Sequence, residues 1–239
     1  MNILNLIFPP VCVVCNGILK KGEEHICVGC RKRLPRVTEP FCQKCGKPIS
    51  ALEQTYCLDC EKNIQKSALE KGRALWLYDK QMKHAMAQIK YQGIQEHIDF
   101  FAEQAVESFS REIERWKVER LVPVPLFWRR RWFRGYNQAE LLAEGIGKRL
   151  QIPVLSNVLQ RGKETKPQKG LLPEQRRKNV SSAFCISPEK RNELTGIKTV
   201  LLVDDIYTTG ATLEACGRVL REAGVQRVYF ICLCIGRDF

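Results

Sequence analysis

The chain is 239 residues long, with 39 Lys and Arg against 26 Asp and Glu and a formal net charge of +13. That length holds one α/β domain of ordinary size plus a smaller module. It contains no run of 18 apolar residues, so no transmembrane span is expected.

Ile3 to Phe8 is a short apolar lead-in, expected to pack on the module that follows. Met1 to Pro10 lacks the basic n-region of a secretory signal, so a reduced, cytoplasmic setting is expected. Eight of the 12 cysteines then fall in four C-x-x-C pairs, Cys12/Cys15, Cys27/Cys30, Cys42/Cys45 and Cys57/Cys60, each beginning 15 residues after the one before. Two such pairs supply the four thiolates of a tetrahedral structural zinc site, so four pairs supply two Zn²⁺. A disulfide framework needs an oxidising compartment, and a redox C-x-x-C occurs singly on a βαβ unit; neither fits four evenly spaced pairs. Consecutive pairing closes the shorter loops and is the expectation; interleaved pairing, a cross-brace, is the alternative. Gly46 stands where a knuckle needs positive φ. A module of roughly 65 residues with few large apolar side chains would fold poorly without metal. The expected boundary therefore separates a zinc-ribbon domain at 1–65 from the remainder, 66–239.

Beyond a polar connector at 61–70, Arg73 to Tyr78 reads as a first strand. A helical pattern runs from Lys80 to about Trp116, broken near Gly93. Leu121 to Pro125 reads as a strand leading into a basic loop. That loop interleaves Phe127, Trp128, Trp132, Phe133 and Tyr136 with Arg129, Arg130, Arg131 and Arg134, and Gly135 follows. Alternating cations and aromatics suit single-stranded nucleic acid, with bases stacked and phosphates paired, which makes Arg129, Arg130, Arg131 and Trp132 DNA candidates. The same arginines suit a pyrophosphate group. Asn137 is placed to cap a helix carrying Ala139, Leu142, Ala143, Ile146 and Leu150, and Ile152 to Leu155 reads as a short strand. A second polar loop, 160–180, holds Arg161, Lys166 and Arg176 and suits a mobile basic lid over an anionic ligand. Residues 121–199 carry 16 basic and 6 acidic groups, most of the net excess of the chain.

Val200 to Val203 is an unbroken apolar run, as in a parallel strand covered on both faces, ending in Asp204 and Asp205. Thr208, Thr209, Gly210, Ala211 and Thr212 then lead into a helix with Leu213, Cys216, Val219 and Leu220 on one stripe. A strand feeding a helix N-terminus through small residues is an anion site, since free amides and the helix dipole both point at the ligand. Two carboxylates would repel phosphate at contact distance but suit sugar hydroxyls, or a metal that bridges hydroxyls to a second phosphate group. Arg227 to Ile235 reads as the last strand, and Cys185, Cys216, Cys232 and Cys234 as core residues. Alternating strands and helices argue a doubly wound α/β sheet with its ligand at the carboxyl ends of the strands.

Residues 200–212 resemble the phosphoribosyl-pyrophosphate (PRPP) signature of the type I phosphoribosyltransferases. The resemblance implies that Asp204 and Asp205 bind the ribose hydroxyls and that Thr208, Thr209, Gly210, Ala211 and Thr212 wrap the 5′-phosphate, with Mg²⁺ arriving with PRPP. Arg134, Gly135, Arg161, Lys166 and Arg176 become the pyrophosphate and lid candidates. The order of motifs is similar to that of the ComF/ComFC family. Four cysteine pairs come first, then Val-Pro-Val-Pro-Leu at 122–126, Arg-Gly-Tyr-Asn-Gln-Ala at 134–139, Arg161, Thr165 and Gln168, Arg176 to Asn179, Ala183-Phe184 and the PRPP signature. That resemblance implies a bacterial competence protein handling single-stranded DNA during uptake, beside the helicase ComFA and recruited to the uptake machinery at the membrane. An active phosphoribosyltransferase of unknown acceptor is the alternative. Because the chain stops four residues after Ile235, any hood over an acceptor is expected from 61–120 or the ribbons.

Overall fold

A computed structural model describes residues 9–91, 96–162 and 183–236. Its centre is a parallel sheet of β1 (Gly72–Leu77), β2 (Arg120–Pro123), β5 (Thr199–Tyr207) and β6 (Arg227–Ile235), in the order β1-β6-β5-β2. A parallel bridge from Leu121 to Val154 adds the segment expected as a short strand beyond β2. The remaining strands, β3 (Leu159–Arg161) and β4 (Phe184–Ile186), form an antiparallel ribbon that the polar character of this region had hidden.

Apolar side chains alternate along β5 because both faces are covered. Leu201 and Val203 enter one core with α3 (Lys80–Tyr91), α4 (Glu96–Arg115) and α6 (Gln138–Leu150). Val200 and Leu202 enter the other, with α7 (Ala211–Glu222) and the β3–β4 ribbon. The helix α6 starts as expected: Asn137 Oδ1 accepts from the Ala139 N–H at 3.1 Å, and its Nδ2 donates to the Val124 carbonyl at 3.0 Å. Gly145 allows α6 to cross α4 closely, since a Cβ there would lie 2.7 Å from Ala102 Cβ.

From β2 the chain passes through α6 to the 154 segment on one side. From β5 it passes through α7 to β6 on the other. The gap between β2 and β5 is therefore the point where strand order reverses, where open α/β sheets hold their ligands. The sheet also opens there, for β2 pairs with β5 only as far as Val203, while β5 continues to Tyr207 against β6.

The two cysteine modules repeat each other at an offset of 30 residues. Cys12 N–H donates to Gly17 O at 2.8 Å and Cys42 N–H to Lys47 O at 2.7 Å. Asn16 (φ 61°) and Gly46 (φ 79°) occupy the same positive-φ place after each knuckle. The second pair of each module opens a short helix, α1 (Val28–Arg31) after Cys27 and α2 (Leu58–Asn63) after Cys57. The modules do not stand apart from the sheet. Val13, Val14, Leu19 and Ile26 of the first share a core with Met82 and Phe100, while the second packs into the opposite core with Tyr207 and Phe230. The connector Pro35-Arg36-Val37 lies antiparallel along β1, with Val37 N–H on Leu75 O at 2.9 Å and Leu77 N–H on Pro35 O at 2.7 Å. A strand edge that would invite aggregation is thus closed by the link between the ribbons.

Candidate functional site

The cysteines converge as two sets, Cys12, Cys15, Cys27, Cys30 and Cys42, Cys45, Cys57, Cys60, each with all its sulfurs within 4.8 Å of one another. Pairing is consecutive. A tetrahedron with Zn–S arms of about 2.3 Å has edges of about 3.8 Å, and Cys15–Cys27 and Cys45–Cys57 stand 3.9 and 3.7 Å apart. The donor set fits Zn²⁺. Hydrogen bonding by Cys45, Cys57 and Cys60 pulls the Cys42 thiol far below its ordinary value, while bonding to Cys42 pushes Cys45 and Cys60 up, so the sulfurs lie close enough to act as one set. Lys47, 3% exposed, extends to Asp59 at 3.1 Å, a residue that lies between the ligands Cys57 and Cys60 in the chain.

In the crevice, Asp204 and Asp205 lie within β5 rather than at its tip, since the strand continues for two further residues. Adjacent strand positions project to opposite faces. The Asp204 charge raises the buried Cys216 and Cys232 thiols on the α7 side, after burial itself. Asp205 turns toward α3, where Lys90 Nζ lies 2.5 Å from its Oδ2. Burial first, and Asp205 second, push the Asp204 carboxyl well above its ordinary range; its Oδ1 accepts the Asp205 N–H at 2.8 Å. Lys90 was missed because nothing in a helical run of lysines distinguishes the one that the fold turns toward a carboxylate.

Beyond Asp205 strict alternation stops, so that Ile206 packs with the first core and Tyr207 with the second. Tyr207 stacks on Phe230, centroids 5.1 Å apart and planes 8° apart. Phe230 can lie there because residue 72 is Gly; a Cβ would sit 2.2 Å from its ring. Thr208 and Thr209 are exposed, and Gly210 (φ 73°) caps α7 directly over Tyr207. The first amides of α7 have no intrahelical acceptor. The first-turn acid Glu214 does not fill their place: it accepts from Ala68 N–H at 2.6 Å and the Ser67 hydroxyl at 3.0 Å.

The basic segment after β2 is a helix, α5 (Trp128–Arg134), not the expected loop, and Gly135 ends it at φ 78°. Helical spacing sorts the residues that looked alternating. Trp128, Trp132 and Phe133 are 59%, 79% and 80% exposed, and the Arg129 guanidinium lies over Trp128 at 5.3 Å. Arg131 faces the protein, 3.1 Å from Glu140 and 2.8 Å from Asn157. The Arg130 side chain lies outside the described residues. Arg134 donates to Gln138 Oε1 at 3.1 Å, beside the cleft that Asp205 lines. Arg161 stands over the Phe184 ring at 5.4 Å and acts on Cys216, so it belongs to the α7 side. Lys166 and Arg176 lie outside the described residues, as does the 3–8 lead-in. Cys216, Cys232 and Cys234 are buried as expected, whereas Cys185 is exposed on the outer side of β4.

The double zinc ribbon domain family matches residues 3–61, and the phosphoribosyl transferase domain family matches residues 136–238. Competence protein F of Haemophilus influenzae is 44% identical over 46% of this chain and 47% of its own. Competence protein ComFC of Bacillus subtilis is 33% identical over 65% of this chain and 60% of its own. The DNA utilization protein YhgH of Escherichia coli O157:H7 is 32% identical over 48% of this chain and 49% of its own. The chain thus spans about half to three fifths of the length of these curated relatives. No helix among the described residues is long and apolar enough to cross a membrane.

Proposed function

From the premise that the chain is a homologue of competence protein F and ComFC, with double zinc ribbon and phosphoribosyltransferase domains, we propose that it handles single-stranded DNA and binds PRPP with Mg²⁺ in its crevice. The observation that carries the PRPP reading is the acid pair Asp204–Asp205 followed by an open, Gly210-capped helix start at the strand-order reversal. In that reading, amides and hydroxyls of Thr208, Thr209, Gly210, Ala211 and Thr212 hold the 5′-phosphate, and Asp204 and Asp205 accept from the ribose hydroxyls. Magnesium supplies charge neutralisation of the diphosphate. Arg134 and Gly135 border the diphosphate end, with Arg161 on the α7 side.

The DNA reading rests on α5, where three exposed aromatics and Arg129 make one surface. Bases stack on such rings whatever their sequence, and the guanidiniums neutralise phosphates. The zinc-ribbon domain is proposed as 1–65, holding the two ribbons on either side of β1. A cytoplasmic location and a partnership with a competence helicase such as ComFA belong to the same proposal.

A thermal-shift titration with PRPP, Mg²⁺ and single-stranded DNA tests it. A ligand at a hundred times its dissociation constant adds about 2.7 kcal/mol. Asp204→Asn with Asp205→Asn is expected to abolish the PRPP shift while leaving the DNA shift. No response of the unaltered chain to PRPP would refute the sugar-phosphate reading.

A further inference from the structure

Beside Asp205 lies a narrow cleft between α3, α4, α6 and the sheet. Met86, Ile89, Ile98, Leu142 and Leu233 make its apolar walls, and Lys90, Gln138 and Asp205 are its polar groups. Its volume is about 10 Å³, room for one water molecule or one hydroxyl. Lys90 and Asp205 are 20% and 19% exposed, with 2.5 Å between ammonium and carboxylate. Gln138 is 5% exposed. Because Arg134 Nη1 donates to its Oε1, the amide nitrogen is the end left over, and Nε2 is buried without a hydrogen-bond partner.

A buried N–H donor without an acceptor destabilises the site until a ligand supplies one. The same cleft holds the Asp205 carboxylate, which already has the Lys90 ammonium as one donor and keeps lone pairs for another. A hydroxyl answers both, accepting from Gln138 Nε2 and donating to Asp205. A divalent cation would suit the carboxylate but cannot accept from an amide N–H, and at Asp205 it meets the Lys90 ammonium at contact distance. Of the other charges nearby, Asp79 is negative, Asp204 is pushed toward its neutral form and Arg134 adds a cation on Gln138, so Lys90, in contact with Asp205, is the nearest group that opposes a cation there.

We infer that Lys90 and Gln138 are specificity-determining residues that make Asp205 selective for a sugar hydroxyl and closed to a free divalent cation. The inference rests on the sugar-phosphate reading above and deepens it.

The test uses the full, zinc-loaded chain and Mn²⁺ as probe, with free Mn²⁺ read by electron paramagnetic resonance. Thiolate cages retain zinc against manganese, so the ribbons do not interfere. The unaltered chain and Lys90→Arg are expected to hold no Mn²⁺ at the acid pair. Lys90→Met is expected to gain a site at least about tenfold tighter, lost again when Asp205→Asn is added. If Lys90→Met loses its zinc or its circular dichroism, Lys90→Gln takes its place. Mn²⁺ bound equally by the unaltered chain and removed by Asp205→Asn overturns the inference, and so does the absence of any gain in the variant. A second arm titrates ribose 5-phosphate without metal: Gln138→Leu should weaken it about tenfold, and unchanged affinity removes Gln138 from the site. Failure of ribose 5-phosphate to bind the unaltered chain sinks the sugar-phosphate reading, while the Mn²⁺ arm still judges Lys90.

Discussion

At Gly210 two separate constraints meet in one residue. Its φ of 73° strains any side chain, and a Cβ would stand 2.5 Å from the Tyr207 hydroxyl and 2.8 Å from its ring. Gly210→Ala should therefore cost about 3 kcal/mol, combining left-handed strain with overpacking, and should remove the phosphate response; chemical denaturation and a PRPP thermal shift measure the two effects. Asp204 shows the opposite trade. Its folded carboxyl is held well above 3.8, by burial first and by Asp205 second. The folded chain thus keeps a proton that the unfolded chain releases. Stability is full below the ordinary carboxylate value and falls as pH rises from there through the raised folded value. Asp204→Asn, which can still accept the Asp205 N–H, should melt higher than the unaltered ligand-free chain by a few degrees, with a difference that grows toward neutral pH. A melting series across pH checks this, and a difference independent of pH would count against it.

On the scale of elements, α5 carries the most consequential departure from expectation. A run of aromatics and arginines reads as alternating when taken as an extended loop, but the helix gathers Trp128 with Trp132 and Arg129 with Phe133, and turns Arg131 back onto Glu140. Its outer face, not its composition, is what a single strand would meet. Arg129→Ala with Arg130→Ala should weaken single-stranded DNA uniformly across sequences and flatten the salt dependence by roughly two units. Trp132→Ala should cost about 1–3 kcal/mol with little change of slope, because stacking releases no counterion. Fluorescence anisotropy over a salt series separates the two, and an unchanged slope in the arginine pair would remove this helix from the DNA path.

For the molecule as a whole, the ribbons are supports of the sheet. The connector 35–37 closes the β1 edge, and the second cage lies near the Tyr207–Phe230 stack beneath the 208–212 turn, close enough for the charges of Cys45, Cys60 and Cys57 to raise the Tyr207 hydroxyl, after burial. The chain should hold two Zn²⁺, measured by metal analysis of reduced, folded protein. Chelation should lower the melting temperature of the entire chain and weaken PRPP binding together, since metal binding is folding free energy for such cages. Loss of zinc with an unchanged PRPP shift would separate ribbon from crevice.

What could be read directly were features encoded in local spacing. The four C-x-x-C pairs, the apolar run into Asp204 and Asp205, the small-residue turn and the Asn137 cap each depend on neighbours a few residues away, so sequence order alone placed the cysteine cages, the central strand and the turn at 208–212. Tertiary structure decided whatever depends on which face a side chain presents. It sent Asp204 and Asp205 to opposite sides of β5, turned one lysine of α3 onto a carboxylate more than a hundred positions later, and left one amide of Gln138 facing a slot. It also laid the ribbons against both faces of a sheet that the spacing of cysteines could not connect to them. The reason is physical: a ligand cage or a turn closes through short loops, whereas the pairing of distant charges follows from how the helices pack on the sheet, and packing leaves no local pattern in the chain.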